Sequence, residues 1–281
     1  MELQDLVVIV TGASRGIGRQ IAIEVGSRGA KVALVARTVE ARRTLPGTLA
    51  ETRRVIEDAG GTALVVQCDV AEPADVERLV ATVIETFGGL DVVVNNAADM
   101  VGGDFEKLVE AMLGTTAVDD QHGARERDPY ENWLRQFATN VHGPYLLMTL
   151  AAPHLRARGG GVILNITSEA ADLIPFETAL GKPRMNPSLG YAVTKAALNR
   201  LTNFAAVDLA GDNIAVVAVD PGVVQTEVAD LFSEAGMRAG GGAPVTVPAA
   251  AVLEILTADD PMVYSGRIVR AGSDETARLT P

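Results

Sequence analysis

Short apolar runs rich in valine, isoleucine and leucine recur along the chain. None of them alternates apolar with polar positions in the way that a strand with one exposed face does. Each run therefore predicts a strand that is covered on both faces, which is typical of a parallel sheet. The predicted strands are Leu6–Val10, Val32–Ala36, Ala63–Gln67, Leu90–Val94, Gly161–Ile166 and Ile214–Val219.

Longer amphipathic stretches separate these runs and predict helices. They lie at Ile17–Arg28, Thr48–Ala59, Ala74–Phe87, Pro129–Ala157 and Tyr191–Ala210. The alternation of strands with helices indicates βαβ units with right-handed crossovers, and hence an α/β fold. No Ser/Pro-rich linker or low-complexity tract divides the 281 residues, so we predict one domain that spans residues 1–281.

Three long segments fit this alternation poorly, namely residues 99–128, 170–189 and 223–248. Each begins shortly after a predicted strand ends. Because the strands are predicted to be parallel, the three segments should cluster at the carboxyl edge of the sheet. Open α/β sheets bind their ligands at that edge, and long loops in compact domains tend to be functional.

Composition and charge limit the possible partners. The chain has 24 Lys and Arg against 36 Asp and Glu, a net charge of −12 at pH 7. An acidic surface repels nucleic acid and anionic membranes, so we expect neither as a partner. No apolar run approaches the length of a membrane span, and Met1–Asp5 lacks the basic start and apolar stretch of a signal peptide. We therefore expect a cytoplasmic protein.

Cysteine and histidine usage argues against a metal centre. Cys68 is the only cysteine, which excludes an intrachain disulfide and a multi-cysteine site. The apolar run around it predicts a small buried core residue. The histidines, His122, His142 and His154, show no metal-ligand spacing. We predict no catalytic metal.

A glycine-rich segment follows the first predicted strand and opens the first predicted helix. Its sequence is Thr11-Gly-Ala-Ser-Arg-Gly-Ile-Gly18. Glycines allow a tight turn and a close approach to a phosphate, and the helix N-terminus supplies free N–H groups and a positive dipole end. An ordinary glycine turn is the alternative. The position within a βαβ unit favours a phosphate-binding loop.

Tyr191 and Lys195 stand four positions apart in a predicted helix. Four residues are about one turn, so the phenol and the ammonium project from the same face. An ammonium beside a phenol favours the phenolate, and we therefore expect Lys195 to lower the pKa of Tyr191. Such a tyrosine could act as an acid and base. Alone, the spacing is also compatible with a solvated helix surface.

With further motifs, these residues give the chain a clear resemblance to a known family. From Leu6 to about Gly272 the chain resembles the classical short-chain dehydrogenases/reductases. The motifs are Thr11–Gly18, Asn95-Asn96-Ala97-Ala98, Asn140, Ser168, Tyr191 with Lys195, and Pro221–Thr226. The resemblance implies a single-domain Rossmann-type fold, a doubly wound parallel sheet with helices on both faces. Ala98 replaces the usual glycine, and residues 99–128 and 170–189 are longer than usual, as insertions that bear on substrate choice.

The resemblance implies an Asn-Ser-Tyr-Lys catalytic tetrad. Tyr191 would exchange a proton with the substrate oxygen, and Ser168 would hydrogen-bond that oxygen. Lys195 would depress the pKa of Tyr191 and hold the ribose of the nicotinamide half. Asn140 would position a water that links Lys195 to solvent. Taken singly, Ser168 could be a strand-end hydroxyl that caps a turn, and Asn140 a buried amide satisfied by backbone.

The resemblance also implies a set of cofactor-binding residues. The second predicted strand ends without the acidic residue that would bind the adenosine 2′-hydroxyl of NAD. Arg37 and Arg15 could instead clamp a 2′-phosphate, so we predict NADP(H) over NAD(H), with two solvated surface charges as the alternative. The predicted cofactor-binding residues are Gly12, Ser14, Arg15, Gly16, Ile17, Gly18, Arg37, Asp69, Val70, Asn96, Ala97, Tyr191, Lys195, Pro221, Gly222, Val224 and Thr226.

The leading functional hypothesis is an NADP(H)-dependent oxidoreductase, a carbonyl reductase or secondary-alcohol dehydrogenase acting on a small molecule. One alternative is a nicotinamide-binding regulator without turnover. Another is an epimerase or dehydratase built on the same fold. Resemblance further implies a homodimer or homotetramer formed through the long helices Pro129–Ala157 and Tyr191–Ala210, and residues 223–248 as the substrate loop.

Overall fold

A twisted sheet organises the part of the chain that the computed structural model describes. That part comprises residues 2–37, 39, 46–100, 129–174, 189–234, 241–272 and 279–280. Most of the two predicted insertions, and residues 235–240 of the predicted substrate loop, lie outside the described residues. None of the described helices combines the length and the apolar character needed to cross a bilayer.

Seven parallel strands and one antiparallel strand form the main sheet. The strands of the described chain are β1 Val7–Thr11, β2 Lys31–Ala36, β3 Thr62–Gln67, β4 Val92–Asn95, β5 Gly161–Ile166, β6 Ile214–Asp220, β7 Val224–Gln225, β8 Ala243–Pro244, β9 Ile268–Arg270 and β10 Leu279–Thr280. Their order in the main sheet is β10-β9-β6-β5-β4-β1-β2-β3. The six predicted strands are confirmed, each to within two residues at either end, and the seventh parallel strand, β9, was not predicted. β7 and β8 pair separately as a small second sheet.

Eight α-helices are described, and they include the five predicted stretches. The helices are α1 Gly16–Gly26, α2 Leu49–Asp58, α3 Pro73–Phe87, α4 Pro129–Phe137, α5 Gly143–Ala157, α6 Leu189–Leu209, α7 Glu227–Glu234 and α8 Thr246–Thr257. The last two were not predicted. Short 3-10 helices lie at Glu169–Ala171, Ala210–Asp212 and Pro261–Tyr264.

The stretch predicted as one helix over Pro129–Ala157 is two helices joined by a π-helical turn, Ala138–His142. Pro144 explains the break, because it has no N–H to donate to the carbonyl of residue 140. The hydrogen-bonding pattern widens there, and the N–H of Gly143 donates to the carbonyl of Ala138. The turn carries the predicted catalytic residue Asn140.

The core lies on both faces of the sheet, as continuous apolar strands predict. In β1, Val8 and Val10 belong to a cluster with residues of α1, α2 and α8. Val7 and Ile9 face the other side, toward α3 and α5. The prediction of two covered faces is wrong for β3, where only Val66 is buried. β3 is the last strand at its edge of the sheet, so it has a neighbour on one side only.

The strand order reverses direction next to β1, which lies between β2 and β4. Connections on the two sides of this point diverge, and they leave a crevice outside the carboxyl ends of the strands. The segments that follow β1, β4, β5 and β6 all begin at this edge. They carry the glycine-rich loop, Asn96, Ser168 and the Pro221–Gly222 turn.

Candidate active site

The glycine-rich loop packs directly against the segment that follows β4. Gly12 and Gly16 have φ of +69° and +57°, in the left-handed region that favours glycine. A Cβ at Gly12 would lie 2.7 Å from Nδ2 of Asn96, and one at Gly18 would lie 2.2 Å from the same atom. The glycines therefore let the loop turn tightly against Asn96 and lead into the N-terminus of α1, a geometry suited to a phosphate.

Hydrogen bonds lock this loop to the end of β4. The Nδ2 of Asn96 donates to the carbonyl of Thr11 at 2.8 Å. The N–H groups of Asn96 and Ala97 donate to the Thr11 hydroxyl at 2.9 and 3.0 Å. The hydroxyl in turn donates to the carbonyl of Val94 at 3.2 Å. Asn96 and Ala97 thus flank the loop, where the sequence places the cofactor cleft.

Ser168, Tyr191 and Lys195 converge at the end of β5. Tyr191 is 8% exposed and Lys195 is 2% exposed, both near the start of α6. The ammonium lies 5.5 Å from the centre of the Tyr191 ring and donates to the carbonyl of Ile166 at 2.7 Å. The side chain of Ser168 hydrogen-bonds Tyr191. It also accepts from the N–H of Ala170 at 3.2 Å, and so caps the 3-10 helix.

Asn140 braces this cluster from the opposite side. Its Oδ1 accepts from the N–H of Asp99 at 2.7 Å, and its Nδ2 donates to the carbonyl of Asp99 at 2.9 Å. The same Nδ2 donates to the Thr194 hydroxyl at 3.0 Å, and that hydroxyl donates to the carbonyl of Tyr191 at 2.8 Å. The fully buried carboxamide therefore ties the segment after β4 to α6. The water-positioning role of Asn140 stays a prediction.

The Pro221–Gly222 turn follows β6 at the same edge. Gly222 has φ of +65°, and its N–H donates to Oδ1 of Asp220 at 3.0 Å. Val224, in β7, is buried, and the hydroxyl of Thr226 accepts from the N–H of Ala229 at 3.1 Å, which caps the start of α7. The turn thus directs the chain back toward the glycine-rich loop.

A carboxylate that sequence reasoning missed closes this arrangement. The N–H of Gly16 donates to Oε2 of Glu227 at 3.0 Å, so the first residue of α7 places its charge at the N-terminus of α1. A methyl group of Thr226 lies 3.4 Å from the Cβ position of Gly16. The available signal is an acidic residue directly after the Pro-Gly motif.

Comparison with known proteins decides the family. The model of the short chain dehydrogenase family matches residues 6–235. The chain belongs to the short-chain dehydrogenase/reductase family. Its relative 2-(R)-hydroxypropyl-CoM dehydrogenase of Xanthobacter autotrophicus is 37% identical over 221 residues, covering 78% of this chain and 75% of that protein.

Solved structures agree in fold. A short chain dehydrogenase from Burkholderia cenocepacia in complex with NADP superposes with a TM-score of 0.73 at 26% identity, covering 96% of this chain and 98% of the other. A 7α-hydroxysteroid dehydrogenase with NADH and 7-oxo glycochenodeoxycholic acid gives a TM-score of 0.70 at 27% identity, covering 96% and 94%. The predicted Rossmann-type fold is confirmed. This short-chain dehydrogenase/reductase is an oxidoreductase of the alcohol–carbonyl class that binds a nicotinamide cofactor.

Burial dominates the electrostatics of the tyrosine and lysine of this short-chain dehydrogenase/reductase. It raises the pKa of Tyr191 to about 12, with the hydrogen bond from Ser168 lowering it and the carboxylate of Asp220 raising it further. Burial also lowers the pKa of Lys195 to about 8. Burial therefore sets the direction of the Tyr191 pKa shift, and the expectation that Lys195 lowers this pKa stays a prediction. Sequence reasoning also missed Asp220, which directly precedes the Pro-Gly motif.

The two arginines predicted to clamp a 2′-phosphate lie in different surroundings. An Nη of Arg15 donates to the carbonyl of Gly47 at 3.3 Å. Arg37 is about half exposed, and its Nη1 lies 4.0 Å from Oδ2 of Asp69. Arg37 lines an open cavity of about 560 Å³ with Gln67, Asp69, Asp75 and Arg78. Arg78, from α3, is a second cation at this cavity that the sequence did not single out.

The segment after β3 is held by α3 and α5. The N–H of Asp69 donates to Oδ2 of Asp75 at 2.9 Å, and Oδ1 of Asp69 accepts from the N–H of Ala71 at 3.0 Å. The carbonyl oxygen of Val70 lies 2.5 Å from the Cβ position of Gly143, so α5 begins in close contact with it. Within the described part of the chain, no group of three or more His, Cys, Asp or Glu could hold a metal ion.

Proposed function

We propose that the protein is an NADP(H)-dependent oxidoreductase that interconverts a carbonyl compound and an alcohol, with Asn140, Ser168, Tyr191 and Lys195 as its catalytic tetrad. The observation that carries the proposal is the cluster of half-buried Ser168 with buried Tyr191 and Lys195, which shares the carboxyl edge of the sheet with the glycine-rich loop. A hydrogen-bonded phenol with a cation beside it suits proton transfer to a substrate oxygen.

The tight glycine turn at the N-terminus of α1 fits the pyrophosphate of a dinucleotide. Gly12 and Gly18 permit that turn, because a Cβ at either position would collide with Nδ2 of Asn96. The residues that would hold it are those of the loop from Gly12 to Gly18, with Asn96 and the turn Pro221–Thr226. When bound, the nicotinamide supplies or accepts the hydride. The contribution of the protein is therefore to bind, orient and move a proton.

Tyr191 is the proposed proton donor in the reductive direction. With a pKa of about 12 the phenol is neutral at physiological pH and carries the proton that a reduced carbonyl oxygen must receive. The hydrogen bond from Ser168 holds the phenol oxygen in place, and an ammonium at Lys195 would stabilise the phenolate that remains. In the oxidative direction the same phenolate would take the proton of the alcohol.

Asn140 has a supporting role in this scheme. Through Thr194 its carboxamide is linked to the backbone of Tyr191, so it sets the position of the first turns of α6. Lys195 follows Thr194 directly, and its ammonium is anchored on the carbonyl of Ile166. The phenol and the ammonium are therefore held from two sides before any ligand arrives, as preorganised catalysis requires.

The proposed preference for NADP(H) is supported by charge at the end of β2. Arg37 and Arg78 line one cavity there, beside Asp69 and Asp75, and a 2′-phosphate would compete with these carboxylates for the two guanidinium groups. No acidic residue occupies the last positions of β2 itself. Guanidinium groups bind phosphate strongly through paired, charge-assisted hydrogen bonds. Solved relatives carry NADP in one case and NADH in another, so the preference rests on these residues.

The proposal extends to the assembly and the location of the protein. α4, α5 and α6 expose large apolar side chains, which supports a homodimer or homotetramer formed through these helices. They are Tyr130, Leu134, Tyr145, Leu189, Phe204 and Val207. We also propose a cytoplasmic location, since a chain whose single cysteine is buried forms no intrachain disulfide that would need an oxidising compartment.

Replacement of Tyr191 by Phe tests the proposed chemistry. We expect turnover of NADPH with a panel of ketones and aldehydes to fall by about 10²–10⁴-fold, because the general acid is lost while the ring remains. The decrease in NADPH absorbance measures it. Tyr264→Phe, at a 3-10 turn away from the cluster, should retain full activity. Undiminished turnover in Tyr191→Phe contradicts the proposal, and tight NADPH binding without any turnover by the wild type favours a non-catalytic regulator.

A further inference from the structure

One guanidinium joins two loops of the proposed active site. Arg270 ends β9, directly opposite Asp220 at the end of β6. Its Nη1 donates to Oδ2 of Asp220 at 2.9 Å, and its Nη2 donates to both carboxylate oxygens of Asp172 at 3.1 and 2.8 Å. Asp172 follows β5 and Asp220 ends β6, so a single side chain spans the carboxyl ends of three neighbouring strands.

The Asp220 end of this bridge sets the Pro-Gly turn. The Asp220 side chain is 4% exposed, and its second oxygen accepts from the N–H of Gly222. A buried carboxylate is stable only with such partners, and the arginine supplies the compensating charge. Movement of Arg270 would therefore disturb the turn that is proposed to bind the cofactor.

The Asp172 end sets the position of Ser168. Ser168 and Asp172 are the N-cap and C-cap of the same 3-10 helix, Glu169–Ala171. The N–H of Asp172 donates to the carbonyl of Glu169 at 3.0 Å, and the N–H of Ala170 donates to the Ser168 hydroxyl oxygen. Because a single short turn links the two residues, holding the carboxylate of Asp172 also holds the hydroxyl of Ser168.

We propose that Arg270 is a positioning residue, which clamps the Ser168 loop against the Pro221–Gly222 turn and so maintains the geometry between proton donor and cofactor. The inference rests on the proposed function and extends it. Among the described residues, the charged groups that act on Arg270 include Asp172, Asp220 and Glu169. A displacement of about 1 Å at a reacting centre lowers the rate by up to about 100-fold, so loss of the clamp should slow the reaction.

Arg270→Met tests the clamp, with Arg158→Met as its matched control. Arg158 binds Asp91 through Nε and Nη2 at 2.8 and 3.2 Å, and Asp91 accepts from the N–H of Val7 at 2.8 Å. Both substitutions therefore remove a cation from a largely buried carboxylate that also holds a backbone N–H. Asp91 precedes β4, at the amino edge of the sheet, so only Arg270→Met affects the proposed site.

Hydrogen exchange followed by mass spectrometry measures the local stability of the two clamped loops and does not require enzymatic activity. In Arg270→Met we expect exchange to accelerate by about tenfold or more in peptides covering residues 167–172 and 220–224, with little change there in Arg158→Met. Asp172→Asn, a milder change at the exposed end, should accelerate only the first peptide. Equal exchange of both peptides in Arg270→Met and Arg158→Met overturns the clamp.

Kinetics show whether the clamp serves the reaction. We expect kcat for NADPH-dependent carbonyl reduction to fall by about 10–100-fold in Arg270→Met, with the KM for NADPH changed less, and Arg270→Lys to recover part of the loss. A kcat equal to that of Arg158→Met contradicts a positioning role. Wild-type protein without any turnover refutes the proposed function instead, and the exchange experiment still decides whether the clamp exists.

Discussion

Tyr191 and Lys195 show what a spacing of four residues does and does not predict. The two side chains do share a face of α6, with the ammonium 5.5 Å from the ring centre. Their pKa values follow from burial, which no spacing reveals. A pKa of about 12 keeps the phenol protonated at neutral pH but makes it a weaker acid than a free tyrosine. The carbonyl of Ile166 stabilises an ammonium at Lys195 against its loss of solvation.

Arg37 is the residue at which cofactor preference can be decided. Arg37→Asp should weaken NADPH binding by about 10–100-fold, because only NADPH offers a 2′-phosphate to the lost cation. NADH binding should stay unchanged or become tighter, because the new carboxylate can accept a hydrogen bond from the 2′-hydroxyl. Fluorescence titration of both cofactors measures the two dissociation constants. Arg53→Asp, which makes the same charge change on the exposed face of α2, is the control. Equal weakening for both cofactors would refute the NADP(H) preference.

At the scale of elements, local sequence signals predicted where a helix starts better than they predicted whether a long helix is continuous. The predicted start of α2 at Thr48 is a capping box, in which Thr48 and Glu51 exchange side-chain and backbone hydrogen bonds. The break between α4 and α5 was not predicted, because the amphipathic pattern continues through the π-helical turn. Pro144 was the available signal for this break. A proline removes a hydrogen bond without altering the apolar stripe.

The contact between α7 and the glycine-rich loop predicts that Glu227 opposes cofactor binding. Its carboxylate accepts a hydrogen bond from the N–H of Gly16, at the N-terminus of α1. A phosphate of the cofactor would compete for this helix end, which favours negative charge. We expect Glu227→Gln to tighten NADPH binding by about threefold to tenfold. A neutral glutamine side chain can move away from the N–H of Gly16 without losing a charge–dipole interaction, and it does not repel the phosphates. Fluorescence titration at constant ionic strength measures the change.

Asp230→Asn is the matched control for this experiment. It removes the same charge from the first turn of α7, where Asp230 accepts a hydrogen bond from Gln225 at 3.1 Å. Tightening of NADPH binding by an equal factor in Asp230→Asn would attribute the effect to net charge and would contradict the specific contact between Glu227 and Gly16.

At the scale of the whole molecule, the strand order brings together residues from distant parts of the chain. Thr11 meets Asn96 because β1 and β4 are neighbours, and Asp172 meets Arg270 because β5, β6 and β9 follow one another. β9 has only three residues, too few for a reliable apolar pattern. The organisation of the full chain as one domain stays a prediction.

Exposed apolar residues on α6 predict the assembly surface. Phe204 and Val207 are 54% and 73% exposed, and Arg200 stacks on the Phe204 ring at 4.3 Å. We expect light scattering to give the mass of a dimer or tetramer for the wild type and a lower mass for the double variant Phe204→Glu, Val207→Glu, because buried carboxylates oppose association. Ala81→Glu on α3 should leave the mass unchanged. A wild-type monomer would refute the proposed assembly.

The sequence by itself determined the strands of the parallel sheet and the place of the glycine-rich loop after the first strand, because these depend on local periodicity and on glycine spacing. The tetrad comes from ordered motifs shared with the family, and it stays a prediction. Only the tertiary structure decided which charges meet. Glu227 reaches Gly16 from 211 positions away, and Arg270 reaches Asp172 from 98 positions away. Packing between distant segments creates these pairings and the burial that sets the pKa of Tyr191. The order of apolar and polar residues along the chain does not show which distant segments will pack together.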